Sequence, residues 1–545
     1  MKKIQESGIF LLIFMSTILL GTTLLFFIKV SITRFHLLIF MFLSSFLYYL
    51  LRKRKPIKEI GKMILLSIGV IALSILISTF LFDRSSDGNT YHKDAIGVLK
   101  EGWNPIYEDS TSFITRREDD SKKLTNYSIW IDHYAKANWI IAANFYSLTG
   151  NIESGKAMNL ISIYIVFSFM VTTLVEILGT KKAILLSLIT VINPLTAAQL
   201  LTFYNDILVC LYLFLAIVFL IKLDKNPKEK EIWLYYGLTF IMLANMKFNG
   251  LGYLLVFSFL FVCRYLYKAW TKKEFLETFK KLCLFFIPLF IIALILVGYP
   301  TYVKNTLDHH NPFFPLYDED GEDIITAQQP KSFKSMNTME KLFYATFTKA
   351  NNLRDHDKTT LKIPFTVSKD EIIPATSNDL RISGWGVLFS GLFLCSIFIF
   401  IFYYPKYKKE SFLLYTLGIT VFLLMIMSES WWARYTPHFY LFIILALYVL
   451  LKYGSKRWIT FIYTVLISIN TLLPLMGNSY YTLKNSISIL KDFSSLRNRE
   501  IVVNDKGMNG IFYNLKDFHI PYRINPTVEG KELYYHYLEY QEKNK

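Results

Sequence analysis

Charge is what this 545-residue chain has least of. Asp, Glu, Lys and Arg make up 19% of it and hydrophobic residues 53%, where soluble domains carry about 25% charged residues. The mean hydropathy is +0.35. This balance excludes an ordinary soluble globule. Cysteine is scarce too: Cys210, Cys263, Cys283 and Cys395 are the four, each inside an apolar block. Neither a disulfide framework nor a zinc-ligand spacing is present. Histidine offers no substitute, because His309 and His310 are adjacent and adjacent residues do not converge on one ion without a third ligand. No metal site and no cofactor are expected. The two halves of the chain show no repeat, a feature that secondary transporters tend to display.

What is there comes in blocks. The apolar residues cluster in runs near 20 residues, the length that crosses a bilayer core. A sliding window predicts about thirteen spans, near 8–30, 35–51, 61–82, 157–178, 183–200, 205–222, 233–246, 249–267, 282–300, 385–404, 411–428, 437–453 and 458–477. The first block is long for a signal-peptide core and lacks a small-x-small cleavage site, so it is expected to be a retained span.

The net charge of +17 does not point to nucleic acid, because the basic residues sit in short segments between apolar blocks. Arg52 to Lys62, Lys181–Lys182, Lys225 to Lys230, Lys268 to Lys281, Lys406 to Lys409 and Lys452 to Arg457 are these segments. All fall on one side if the N-terminus is cytoplasmic, which is the positive-inside pattern. The expectation is a multi-pass cell-membrane protein with an external C-terminus. Its fold class is all-α and polytopic, with two leading spans (1–60), a main transmembrane module (61–477) and an external tail (478–545). Segments 83–156 and 301–384 are then external loops. The tail carries strand-like runs at Glu500 to Val503 and Gly510 to Tyr513, which predict a small α/β appendage.

Polar residues with chemical potential gather at the predicted outer ends of the spans. Asp83 and Asp87 follow the third span, with Tyr91 opening an amphipathic segment to Lys100 that suits an interfacial helix. Either acid also suits simple helix capping. Lys136 opens a short apolar stretch, Ile140 to Leu148, that reads as a second interfacial or re-entrant helix; a lysine there often just snorkels. Asp206, Lys247, Arg381, Arg434 and Tyr435 stand at later outer ends. Any one of these is explained as a boundary residue. Their recurrence on one face points to a site, since charges at membrane depth are costly and usually functional.

At these residues the sequence resembles the GT-C superfamily, which includes protein O-mannosyltransferases and lipid A aminoarabinose transferases. That family has an acidic motif of the Asp-Glu type in its first external loop, followed by Tyr and an amphipathic helix. Asp87-Gly88-Asn89-Thr90-Tyr91 is similar to it, with Gly88 at the second acidic position, so Asp83 remains a competitor. Tyr134-Ala135-Lys136-Ala137 with Thr149-Gly150 looks like the family's Lys-Pro-Pro and juxtamembrane helix, without the prolines. Asp206, Lys247-Phe248-Asn249-Gly250, Asn311-Pro312-Phe313-Phe314-Pro315 and Arg434-Tyr435-Thr436-Pro437 look like its later elements. The resemblance covers 83–440.

The resemblance implies a glycosyltransferase that takes a sugar from polyprenyl phosphate to an acceptor hydroxyl on a glycan, lipid or protein of the cell envelope. Such a donor already carries a good leaving group, so one carboxylate base suffices and fixed cations meet the charge growing on phosphate. Asp87, with Asp83 as competitor, is the expected base. Lys136 and Arg434 are the expected phosphate partners, Lys247 and Arg381 their reserves, and Tyr91, Asp206 and Tyr435 further substrate contacts. One base and attack from the opposite face imply inversion at the anomeric carbon. A polysaccharide polymerase or ligase using lipid-linked donors is the alternative; a transporter or flippase would instead place its charges deep inside the spans.

Overall fold

The computed structural model describes residues 1–116, 128–316, 328–351, 359–504 and 506–542. Among them, eight helices are long and apolar enough to cross a membrane: Lys2–Phe27, Ile57–Thr79, Ile152–Leu178, Asp206–Lys225, Phe248–Thr271, Phe275–Val297, Phe389–Tyr407 and Arg457–Leu496. Three shorter apolar helices, His36–Arg52, Ser411–Ile426 and Pro437–Tyr453, accompany them. The remaining two predicted windows are also helical, but neither is a long uninterrupted rod. Window 183–200 divides into Thr180–Val191 and Pro194–Gln199, because Pro194 cannot donate to the preceding turn and the Asn193 side chain caps the new helix at Leu195 N and Thr196 N. Window 233–246 is the fifteen-residue helix Lys230–Ala244.

Burial divides these helices into a centre and a rim. Asp206–Lys225 has 89% of its apolar window buried and Lys2–Phe27 has 78%, whereas Ile57–Thr79 and Phe275–Val297 have 22% each. Rim helices present large apolar side chains outward, among them Phe42, Leu284 and Phe402, each more than three-quarters exposed. A surface of this kind needs a lipid covering rather than water. At the basic end, ion pairs tie the helices together. Arg52 bridges Glu6 (2.7 Å) and Glu231 (2.8 Å), and Asp224 holds Arg264 (3.0 Å) and Lys268 (2.6 Å).

Residues 83–114 and 128–156 pack onto the opposite end of the bundle instead of lying along its surface. Helix Lys93–Glu101 was expected at a membrane interface; its residues Lys93 to Leu99 are buried. Helix Ala137–Thr149 is likewise buried from Ala137 to Tyr146. The reason is packing that amphipathicity alone does not reveal: the two helices pack on each other, Ala137–Thr149 also packs on helix Lys2–Phe27, and the C-terminal domain covers Lys93–Glu101 and touches Tyr146.

Helix Arg457–Leu496 has 40 residues, about 60 Å at 1.5 Å per residue. That is twice a bilayer core, so the helix leaves the bundle as a stalk and delivers the tail beside segment 83–101. The tail holds four strands, β1 (Ile501–Asn504), β2 (Tyr522–Ile524), β3 (Lys531–Leu533) and β4 (Leu538–Glu542), in the order β2-β1-β4-β3. β1 pairs parallel with β2 and antiparallel with β4, and β3 pairs antiparallel with β4. The strand expected at Gly510 to Tyr513 is instead helix Ile511–Asp517. Its five residues from Ile511 to Leu515 are all buried, and a short apolar run buried all round carries no periodicity to tell helix from strand. Phe512 stacks on Tyr522 of β2 at 4.6 Å. On its other side Tyr513 lies on Gly97, where an added Cβ would meet the ring at 2.0 Å. Phe82, Phe493, Ile501, Ile511 and Leu538 belong to a second, smaller core shared by stalk, tail and the start of segment 83–156.

Candidate active site at the end of the bundle opposite the basic clusters

Five loops meet where the chain brings Asp87, Asp206, Lys247, Asp379, Arg381 and Arg434 together. Asp87 precedes a wide helical turn, Gly88–His92. Asp206 is the first residue of helix Asp206–Lys225, where the helix dipole favours a carboxylate. Lys247 caps helix Phe248–Thr271. The loop of Asp379 and Arg381 pairs with that of Arg434 through Ala433 N to Arg381 O (3.2 Å) and Arg434 N to Leu380 O (3.3 Å).

Arg434 is the hub. Its Nη1 lies 3.1 Å from Asp87 Oδ2, and its Nε lies 3.5 Å from Asp379 Oδ1 and 3.8 Å from Asp206 Oδ2. Tyr204, Trp432 and Tyr435 surround the guanidinium with ring centroids at 4.8, 4.8 and 5.3 Å, a cation–π cage that only a planar cation fills well. Burial on its own would lower the Arg434 pKa; Asp379, Asp87 and Asp206 outweigh it and leave it raised. The other two cations each have their own acid. Lys247 pairs with Asp206 and sits 4.1 Å from the Tyr435 ring centre. Arg381 pairs with Asp379 at 2.8 Å and lies over Trp432 at 4.7 Å. Asp87 has Arg434 as its ion-pair partner. Its side chain is 18% exposed, as is that of Asp379, while Asp206 is 1% exposed. Of these three aspartates, Asp87 and Asp379 are the more accessible.

An aromatic wall flanks Asp87. Tyr91 packs edge-on to Tyr134 and Trp139. Burial, then the nearby Asp87 charge, raises the Tyr91 pKa well above its ordinary value. His92 Nδ1 accepts from Trp139 Nε1 at 2.7 Å, and its buried Nε2 has no partner among the described residues. Burial and Lys247 push the His92 pKa down to about 3, so this imidazole stays neutral.

Lys247, Tyr435 and Tyr134 form the polar end of a cavity of about 470 Å³. Asn249, Ser428 and Glu429 also line it, and the rest of its lining is mostly apolar, from Phe248 and Leu251 to Leu423 and Ile426. Leu255 and Val256 line both this cavity and a second apolar one of about 660 Å³. Phe422 connects the second to a third, about 400 Å³, that ends at Arg264. Together they follow helix Phe248–Thr271 from Lys247 to Arg264, about 26 Å of helix.

Two expected site residues lie elsewhere. Lys136 gives its three N–H donors to backbone carbonyls, Asp132 O at 2.8 Å, Tyr134 O at 2.9 Å and Pro300 O at 3.2 Å. Burial pushes its pKa down to about 7. It is a backbone brace, caged away from the cluster. Asp83 is fully buried and accepts from Ser85 N and Ser85 Oγ, both at 2.8 Å, and from Phe203 N at 3.2 Å. Burial raises its pKa, against the lowering effect of Lys93 and Lys156. Asp83 also explains Gly88: a Cβ there would lie 1.8 Å from Asp83 Oδ2 and 2.3 Å from Ser85 Oγ. The space that a second acidic side chain would use is filled by the Asp83 carboxylate. Asp379, Tyr204, Trp432 and His92 were not assigned roles from the sequence. Asp379, Tyr204 and Trp432 stand close in sequence to Arg381, Asp206 and Arg434, which is the signal that marks them.

No family model, curated protein or solved structure matches the chain. The site rests on its geometry: three aspartates and three cations form one ion-pair cluster, and its Lys247 lines the end of a long, mostly apolar groove that Glu429 also lines.

Proposed function

We propose that the chain is a membrane glycosyltransferase of GT-C type, moving a sugar from polyprenyl phosphate to an acceptor hydroxyl at the non-cytoplasmic face. The observation that supports this reading best is the continuity between the charged cluster and the groove beside helix Phe248–Thr271. A lipid phosphate needs both together, cations for its head and an apolar channel for its chain. In this reading thirteen helical segments span the membrane, the N-terminus is cytoplasmic, and 83–156, 301–384 and 478–545 are external.

The reaction follows from the arrangement. The acceptor oxygen attacks the anomeric carbon from the face opposite the phosphate and inverts it. A new C–O bond forms, the bond from the anomeric carbon to the phosphate oxygen breaks, and the acceptor proton passes to Asp87. The departing polyprenyl phosphate keeps the bonding electron pair, and Lys247 and Arg434 stabilise its added charge. Lys247, which lines the cavity, takes the first phosphate role in place of Lys136. Asp206 and Asp379 hold the two cations in place, and Arg381 holds Asp379.

Purified protein with a panel of polyprenyl-phosphate sugars, scored by release of lipid phosphate, is the deciding experiment. The expected result is turnover of one donor class by the wild type and its near-complete loss in Asp87→Asn, whose amide keeps the shape but accepts no proton at this step. An Asp87→Asn protein as active as wild type would remove the base and with it this mechanism.

A further inference from the structure

The tail grips the chain on both sides of Asp87. Upstream, three tyrosines of the β3–β4 turn reach three successive carbonyls: Tyr535 Oη donates to Phe82 O (3.0 Å), Tyr537 Oη donates to Arg84 O (3.0 Å), and the single proton of Tyr534 Oη faces both Asp83 O (3.1 Å) and Glu153 Oε1 (3.0 Å). The stalk adds to them. Phe82 N donates to Ser486 Oγ at 2.8 Å, and Arg84 Nη1 reaches Asn478 Oδ1 at 3.2 Å. Downstream, Gly510 N donates to Asn89 O at 2.8 Å. That approach is closed to any side chain at 510, since a Cβ would meet Lys93 Cβ at 2.7 Å and Asn89 O at 2.8 Å. Lys93 then donates to Asn514 Oδ1 (2.9 Å) and Tyr534 Oη (2.6 Å) and pairs with Glu153 at 2.6 Å, all with no exposure of either charged side chain.

The turn that delivers the tyrosines is strained. Tyr534, Tyr535 and His536 have φ of 52°, 59° and 67°, three consecutive non-glycine residues in the left-handed region. Side chains disfavour this region, and strain of this kind persists where surrounding contacts enforce it and clusters at functional sites. A domain needed only as a cover would not require it.

We propose that the C-terminal domain is a positioning device for the catalytic loop, with Tyr534, Tyr535 and Tyr537 as positioning residues that fix where Asp87 stands against Arg434. The inference rests on the glycosyltransferase reading for its kinetic consequence, not for the clamp itself. Between the two grips the loop has its own ties, Asn89 Nδ2 to Asp83 O (3.0 Å) and Ser85 O (2.7 Å). The turn therefore moves as one piece, and the tail sets its place. The three tyrosines hold the backbone of residues 82–84, so their effect is on the geometry of attack rather than on donor binding.

The test uses full-length protein in nanodiscs carrying Tyr535→Phe/Tyr537→Phe, which keeps both rings and leaves the Lys93–Glu153–Tyr534 cluster intact; Tyr535→Phe alone serves if the double variant does not insert. Hydrogen exchange is followed by mass spectrometry, and turnover with the donor that the wild type uses best. The expected result is faster exchange of amides 85–92 with helix Asp206–Lys225 unchanged. A fall in kcat of about 10- to 100-fold, the scale of a 1 Å misplacement, should accompany it with donor KM within about twofold. Unchanged exchange at 85–92 overturns the clamp whatever the activity. Faster exchange with wild-type kcat overturns its catalytic role. Failure of the glycosyltransferase reading is read separately, from Asp87→Asn and the donor panel, and the exchange result still decides the clamp.

Discussion

Arg434→Lys keeps the charge and loses the geometry, so it asks whether Arg434 works as a fork or as a point charge. Lysine places its ammonium near the position of the arginine Cζ, about 1.3 Å short of Nη1 by one C–N bond. The 3.1 Å contact from Nη1 to Asp87 then opens beyond about 4 Å, outside ion-pair range. Asp206 keeps Lys247 and Asp379 keeps Arg381; Asp87 is the acid left without its cation. The cage of Tyr204, Trp432 and Tyr435 also loses the planar group it fits. Removing one preorganised donor from a dry site costs on the order of 3 kcal/mol, about a hundredfold in rate. Steady-state release of lipid phosphate should show kcat reduced by about that factor. The shift in donor KM should be smaller, because Lys247 still faces the cavity. Size-exclusion profile and melting temperature should stay near wild type. Wild-type kcat and KM in Arg434→Lys would refute the reasoning and leave Arg434 as a boundary anchor, a place where lysine serves equally well.

Two further outcomes follow from the clamp and the loop. Gly88→Ala puts a methyl 1.8 Å from Asp83 Oδ2, and Asp83 can turn away only by giving up its bonds to Ser85 and Phe203. Overpacking at about 1–3 kcal/mol plus one charge-assisted hydrogen bond at about 1.5–3 kcal/mol predicts a loss near 3–5 kcal/mol in thermal or denaturant unfolding; a wild-type midpoint would show that the turn relaxes freely. Asp517 accepts from Tyr146 Oη (2.6 Å) and Ile152 N (2.8 Å) where the tail meets segment 83–156, and burial raises its pKa from 3.8 to about 7. Folded protein then holds an extra proton between those values. The stabilisation is complete below pH 4 and is lost as pH rises through 7, at most roughly 4 kcal/mol over the window. Limited proteolysis of the tail should accelerate across that range in wild type and be flat in Asp517→Asn; parallel pH profiles would remove Asp517 from tail docking.

The sequence by itself determined that the chain is built of apolar helices, roughly where they lie, and which of the connecting segments carry the basic clusters. These are properties of length and composition along one dimension, and bilayer thickness translates them directly into structure. It also drew attention to Asp87, Asp206, Lys247, Arg381 and Arg434, because charges beside apolar blocks stand out. Only the tertiary structure decided their use. Lys136 and Asp83 look as available in sequence as Lys247 and Asp87, yet carbonyls from residues 132, 134 and 300 cage the lysine, and Ser85 and Phe203 consume the acid. Whether a charge is spent or free depends on partners far away along the chain. The same holds for helix Ile511–Asp517, whose burial on two sides erased the period that would have announced it, and for the tail. Tyr534, Tyr535 and Tyr537 read as surface aromatics until the 40-residue stalk carries them back, some 450 residues along the chain, to the carbonyls of Phe82, Asp83 and Arg84.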